Sequence, residues 1–223
     1  MQFQSKSGVI GVNVADRATL QSRIRACFEA GEGFALATLN LDHLVKFDSD
    51  GAFADAYRSH EMVVADGNPI VWMSKLAADP VELLPGSDMV GALAQLAAES
   101  GVSVALVGST QDSLEKAAEV LCARVKGLEI AVCIAPPFGF DPLGKAADGI
   151  FAQLVASGAG LCFVARGAPK QELFAARGRV LAPQVGFASI GAGLDFLAGS
   201  QKRAPEWVRR LALEWLWRMA SQP

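Results

Sequence analysis

The sequence predicts an α/β fold whose mainly parallel sheet is covered by helices on both faces. Three observations carry that expectation. Several short runs are apolar without interruption, as strands buried on both faces are. The segments between them space their apolar residues near 3.6, as amphipathic helices do. The chain of 223 residues is also 52% hydrophobic and only 19% charged, ample for one large core.

In chain order, the first predicted strand is residues 9–14, where Val9, Ile10, Val12 and Val14 cluster. A helical pattern through Leu20, Ile24 and Phe28 covers residues 20–30. Apolar runs then predict strands at residues 34–40 and 62–66, the second ending on Asp66. Residues 87–100 read as a helix through Val90, Leu93 and Ala97, and residues 102–108 as a strand ending in glycine. Leu114, Ala117 and Leu121 mark a helix over residues 111–125, followed by a strand at 129–135. A helix over 145–156, then strands at 160–166 and 185–191, complete the alternation. Neither a repeat nor a long polar linker interrupts it. One domain is therefore expected over residues 1–199. Residues 200–223 are an appendage, with a last helix at 204–221 after a Gly-Ser-Gln-Lys turn.

The net charge of -3 and pI near 5.4 argue against nucleic acid as the main partner. No run of about 18 apolar residues exists to span a bilayer, and the start MQFQSKSG lacks the order of a secretory signal. Cys27, Cys122, Cys133 and Cys162 stand singly in apolar segments, with no CxxC pair, and are expected as buried reduced thiols. Only His43 and His60 are available, so a metal site or a Ser/His/Asp triad is poorly supported.

Open α/β sheets bind ligands beyond the carboxyl ends of their strands. The polar residues there are Thr38 and Asn40, then Asp66-Gly67-Asn68, then Gly108-Ser109-Thr110. Next come Pro136-Pro137-Phe138-Gly139, Gly167-Ala168-Pro169-Lys170-Gln171-Glu172 and Gly191-Ala192-Gly193-Leu194-Asp195. Asp66 ends a strand beside a glycine and could act as a general base, or cap the helix beginning near Asn68-Pro69. Thr38 and Asn40 share a strand face and could bind a ligand, or cap the helix at Leu41. The Gly108-Ser109 turn resembles a phosphate cradle but lacks a full G-x-G-x-x-G, and Gly191-Ala192-Gly193 is equally incomplete. Lys170 at a helix start opposes the helix dipole, a cost that an anionic ligand could offset, or the Lys-Gln-Glu turn is simply solvated. Asp48-Ser49-Asp50 formally reads DxD, yet it falls in a polar turn between helices rather than after a strand.

Residues 201–218 concentrate charge and tryptophan. Lys202, Arg203, Arg209, Arg210 and Arg218 face only Glu206 and Glu214, in a chain that is acidic overall. Trp207, Leu211 and Trp215 fall on one helical face. Such a helix suits an anionic membrane surface, or docks on the sheet by its tryptophan side.

Taken as an ordered set, these segments resemble the WecG/TagA/CpsF glycosyltransferases (family 26). The resemblance rests on Thr38-Leu39-Asn40, Ala65-Asp66-Gly67-Asn68-Pro69 and Leu84-Pro85-Gly86-Ser87-Asp88 in the first half. In the second half it rests on Ala168–Glu172, residues 191–199, Arg203-Ala204-Pro205-Glu206-Trp207 and Glu214-Trp215-Leu216-Trp217-Arg218. It implies a Rossmann-like fold and inverting transfer, without a metal or cofactor, from a UDP-sugar to a polyprenyl-diphosphate-linked saccharide. N-acetylmannosamine, its uronate or glucuronate are the donor sugars it suggests, for wall polymers or exopolysaccharides. The implied location is peripheral, on the inner face of the bacterial cytoplasmic membrane, and spare apolar surface leaves room for a homo-oligomer.

Residue by residue, the resemblance puts the base on Asp66 and its partners on Thr38 and Gln171. Substrate contacts fall on Asn40, Asn68, Gly108, Ser109, Pro137, Phe138, Gly191 and Asp195. Lys170 or Arg203 would meet the leaving diphosphate, and Arg166, where the family more often has an apolar residue, would meet a carboxylate or a diphosphate. The family usually continues into a further Arg-rich tail, which suggests a short member or a truncated chain. Two other classes are expected to compete: a Rossmann-type NAD(P)-binding oxidoreductase, disfavoured by the incomplete glycine fingerprint, and a non-catalytic membrane-peripheral scaffold using the Trp/Arg helix.

Overall fold

A computed structural model describes residues 1–201 of the chain. Its centre is a sheet of six strands, all parallel. These are β3 (Ala35–Leu39), β4 (Met62–Ala65), β5 (Val104–Gly108), β6 (Ile130–Ile134), β7 (Leu161–Ala165) and β8 (Gly186–Ser189). Their spatial order is β4-β3-β8-β7-β5-β6. Strands β3, β4, β5, β7 and β8 are buried at every position, which is why they read as unbroken apolar runs.

Helices cover both faces. Helices α1 (Arg17–Ala30), α5 (Gly86–Glu99), α6 (Gln111–Arg124) and α9 (Gly193–Ala198) supply one core, around Leu36, Val64, Leu106 and Phe163. The opposite face, reached by alternate residues of the same strands, carries α2 (Leu41–Ser49), α3 (Gly51–Arg58), α4 (Asn68–Leu76), α7 (Lys145–Ser157) and α8 (Lys170–Leu181). On that face Phe151 and Phe174 stack with ring centroids 4.4 Å apart, and Phe187 meets both edge-on. The core is thus two aromatic and aliphatic layers on one sheet.

The predicted strand at residues 9–14 does not join the parallel sheet. Only β2 (Gly8–Gly11) is extended there, and it pairs antiparallel with β1 (Gln2–Ser5) in a separate two-stranded sheet. The apolar run is real but its partner differs: Ile10 and Val12 pack beside Val63 and Tyr57. Asn13 then seals the open edge of β4, its Oδ1 accepting from Val63 N–H at 2.7 Å while its own N–H donates to Val63 O. A bare sheet edge is thereby closed against strand addition.

The thiol expectation needs a correction as well. The four cysteines are unpaired, but Cys122 is exposed, because α6 turns that position to solvent, and only Cys162 is fully buried. The helix expected at residues 204–221 lies outside the described residues.

Candidate active site

The carboxyl ends of β3, β4, β7 and β8 open onto a cleft of about 440 Å³. Strand order explains the place. From β3 the chain moves outward to β4, whereas β7 and β8 come from the other half of the sheet, so their loops diverge and leave a crevice. Thr38, Asn40, Asp66, Arg166, Gln171, Gly191 and Asp195 all line it. Of the fourteen residues singled out in the sequence, the structure brings these seven together.

Asp66 stands one residue past β4, its N–H donating to Leu39 O at 2.8 Å. It does not cap α4. The N-cap is Gly67, which offers no side-chain bond and adopts φ 105°, ψ 136°, a conformation that penalises any side chain. A Cβ on Gly67 would lie 3.9 Å from that of Asn40, so the two loops adjoin. Asn40 does cap α2, its Oδ1 accepting from His43 N–H at 3.1 Å. Among the described residues its amide NH2 makes no hydrogen bond. Thr38 is buried one layer lower, at the cleft floor.

A third wall comes from the loop before α5. Leu83 bridges to Ala65 and Leu84 N–H donates to Ala65 O, which carries Pro85, Gly86 and Ser87 onto the cleft. Helix α5 starts there without a side-chain cap, so its first N–H groups are available to an anion. Across from it, Arg166 at the end of β7 lies over the Phe140 ring, 5.6 Å from the centroid, a cation–π contact that steadies the guanidinium.

Gln171 and Glu172, in the first turn of α8, are both buried. Gln171 Nε2 donates to Glu172 Oε1 at 2.8 Å, and Gln171 Oε1 accepts from Gly191 N–H at 3.1 Å. Glu172 is wholly buried, and burial pushes its carboxyl up to about 7. His43 Nε2 lies 3.9 Å from the same carboxyl, and burial pushes His43 down to about 4. At neutral pH His43 is therefore neutral, and the approach is not an ion pair. Tyr57 is raised well above 10.0 by burial first and by the Glu172 and Asp66 charges next.

These shifts have opposite effects on stability. Glu172 favours the fold while protonated, so its contribution is present below about 4.5 and is lost as pH rises through about 7. His43 resists protonation in the fold, so stability is lost as pH falls from 6.5 through about 4. Glu172→Gln removes the first effect alone. Thermal melts from pH 4.5 to 8 should show this variant gaining on the wild type up to about pH 7, by at most roughly 3 kcal/mol, and then levelling off. A pH-independent difference would show that Glu172 does not titrate in this range.

Six other predicted residues fall outside the cleft lining. Asn68 opens α4, one position beyond the loop that turns inward. Gly108 and Ser109 lie one layer out. A Cβ on Gly108 would meet Ala165 O at 2.2 Å, and Ser109 Oγ hydrogen-bonds Asp195 Oδ1, so the turn positions Asp195 from outside the cleft. Pro137 and Phe138 follow β6, the edge strand farthest from β3 and β4, and Phe138 projects fully into solvent. Lys170, the first residue of α8, is exposed and does not line the cleft. Arg203 lies outside the described residues.

The DxD stretch serves the backbone. Asp48 accepts from Ser7 N–H at 3.1 Å, and Asp50 caps α3 through Phe53 N–H at 3.1 Å. Asp50→Ala should cost about 1 kcal/mol of stability in denaturant titration and leave turnover unchanged. Among the described residues no group of three or more His, Cys, Asp or Glu is placed to hold a metal ion.

Sequence reasoning gave no site role to His43, Glu172 or the Pro85–Ser87 wall. The wall had a signal, the Leu-Pro-Gly-Ser-Asp segment, but it follows no strand and so escaped a search of strand ends. Comparison with known families identifies one. The model described as the glycosyl transferase WecG/TagA/CpsF family matches residues 8–223, nearly the whole chain. With a parallel α/β sheet, a ligand-sized cleft at its carboxyl edge and that match, the chain belongs to the WecG/TagA/CpsF family of glycosyltransferases.

Proposed function

We propose that this cleft carries out inverting transfer of a sugar from a UDP-sugar to a polyprenyl-diphosphate-linked saccharide, with Asp66 as general base. The observation that carries the reading is the position of Asp66, one residue past the end of β4 and on the cleft lining beside Thr38 and Asn40. Inversion needs a single base. Asp66 takes the proton of the acceptor hydroxyl, whose oxygen forms the new bond to the anomeric carbon. The bond from that carbon to the UDP oxygen breaks on the opposite face, and UDP leaves with the electron pair. Thr38 and Gln171 shape the reacting end, and the amide of Asn40 offers a donor to a sugar hydroxyl.

The departing diphosphate carries charge that something must meet. In this reading no metal or other cofactor takes part, and the uncapped start of α5 and the Arg166 guanidinium supply the countercharge. N-acetylmannosamine, its uronate or glucuronate remain the proposed sugars; Arg166 would favour a carboxylated one. The lipid-linked acceptor places the reaction at the cytoplasmic membrane face and the product in exopolysaccharide or wall-polymer synthesis. Peripheral attachment is part of the same reading; among the described residues no helix is long and apolar enough to cross a membrane.

The test is a panel of UDP-sugars offered with a synthetic lipid-diphosphate acceptor, with the product's anomeric configuration read by NMR. One donor should give a product inverted at the anomeric carbon. A retained configuration would contradict the single-base mechanism, and no turnover together with no UDP binding would sink the donor assignment.

A further inference from the structure

The buried carboxyl of Glu172 is a titratable group beneath the cleft to which the mechanism above gives no task. It is wholly buried, beside His43 and Tyr57, and its Oε2 has no hydrogen-bond partner among the described residues. A hydrophobic side chain of that size would fill the space without the desolvation cost of a carboxyl group. Its other oxygen has a specific job. Oε1 accepts from Gln171 Nε2, which leaves the opposite end of the same amide, Oε1 of Gln171, to accept from Gly191 N–H.

A glutamine amide has two ends of nearly equal shape and opposite hydrogen-bonding character. Which end faces Gly191 depends on what lies at the other. An acceptor oxygen at Glu172 requires the NH2 on its side and so directs the carbonyl to Gly191. The Gly191 backbone is left-handed, with φ 56°, and Ile190, Gly191 and Ala192 all line the cleft. Resting on the donor assignment above, we propose that Glu172 is a positioning residue: through the Gln171 amide it holds the 190–192 loop in the shape that receives the donor nucleotide. The required feature is an acceptor oxygen at the reach of a glutamate, in either charge state, rather than a negative charge.

The substitutions Glu172→Gln, Glu172→Asp and Glu172→Leu separate these properties in the full chain. Two quantities are measured: UDP affinity by calorimetry, and hydrogen exchange of the Gly191 amide by NMR. Glu172→Gln keeps an acceptor at full reach and should retain both UDP binding and Gly191 protection. Glu172→Leu lacks the acceptor, and UDP affinity should fall about tenfold as the Gly191 amide loses protection. Glu172→Asp keeps the charge but falls short by one methylene, and should resemble Glu172→Leu. Where the leucine variant fails to fold, the Gln and Asp variants still decide the matter.

Wild-type behaviour in Glu172→Asp with loss in Glu172→Gln would overturn the proposal in favour of a charge role. Unchanged Gly191 protection in Glu172→Leu, or in Glu172→Asp, would overturn it as well. The donor assignment fails separately: a wild type that binds no UDP, yet exposes Gly191 in Glu172→Leu, supports the relay and removes its proposed ligand.

Discussion

Asp66→Asn is expected to lower transfer by about 10²–10⁴-fold, the range a positioned general base contributes, while leaving the fold and UDP binding intact. Asparagine matches aspartate in shape but cannot take a proton from the acceptor hydroxyl. The backbone bond from residue 66 to Leu39 is indifferent to that change, and the N-cap position of α4 is Gly67. Steady-state turnover with the preferred UDP-sugar, beside calorimetry with UDP, makes the measurement. Turnover within a few-fold of wild type would remove Asp66 from the base role, whatever else the cleft does. A scaffold without catalysis is tested by the same pair of assays, since it predicts no turnover to lose.

Phe174→Ala is expected to be the most damaging single truncation near the site, at about 3–5 kcal/mol. The ring is almost wholly buried on α8, stacked 4.4 Å from Phe151 and about 6 Å from both Phe140 and Phe187. Removing it leaves a cavity between α7, α8 and β8 that rigid neighbours fill only in part. For a chain of this size the melting temperature should drop by on the order of 10–15 °C. Because α8 also carries Gln171 and Glu172, the same cavity should loosen the cleft below the melting transition, raising KM for the donor before activity is lost to unfolding. A shift of only a degree or two would mean that this aromatic cluster packs far more loosely than its geometry states.

Much of the architecture was legible because parallel strands buried on both faces leave a distinctive trace. Leu161–Ala165 and Val104–Gly108 are apolar throughout, and the amphipathic segments between such runs gave α1, α5, α6 and α7 to within a few residues. The first strand was misplaced for a related reason. Apolar content marks burial, but it does not say whether the partner is the sheet or a small hairpin folded over its edge. The site was half legible. Strand ends are recognisable from sequence, so Thr38, Asn40, Asp66, Gln171 and Gly191 were found.

Strand order is set by long-range pairing, and nothing local announces it. Pro137 and Phe138 follow a strand like the others, yet β6 lies at the far edge of the sheet. Glu172 was hidden by its neighbours. In the Lys-Gln-Glu turn the sequence set the cation and the amide beside the site and gave the glutamate no role, and only packing against α2 and α3 shows that Glu172 points inward with Gln171.

The central claim is that the donor nucleotide and Asp66 meet in one cleft, and a structure of the chain with UDP tests it most directly. UDP should lie at the carboxyl ends of β3, β4, β7 and β8, with its diphosphate toward the start of α5 and Arg166, and Asp66 facing the position of the transferred sugar. UDP bound instead at the β6 edge, beside Phe138 and away from Asp66, would contradict the account.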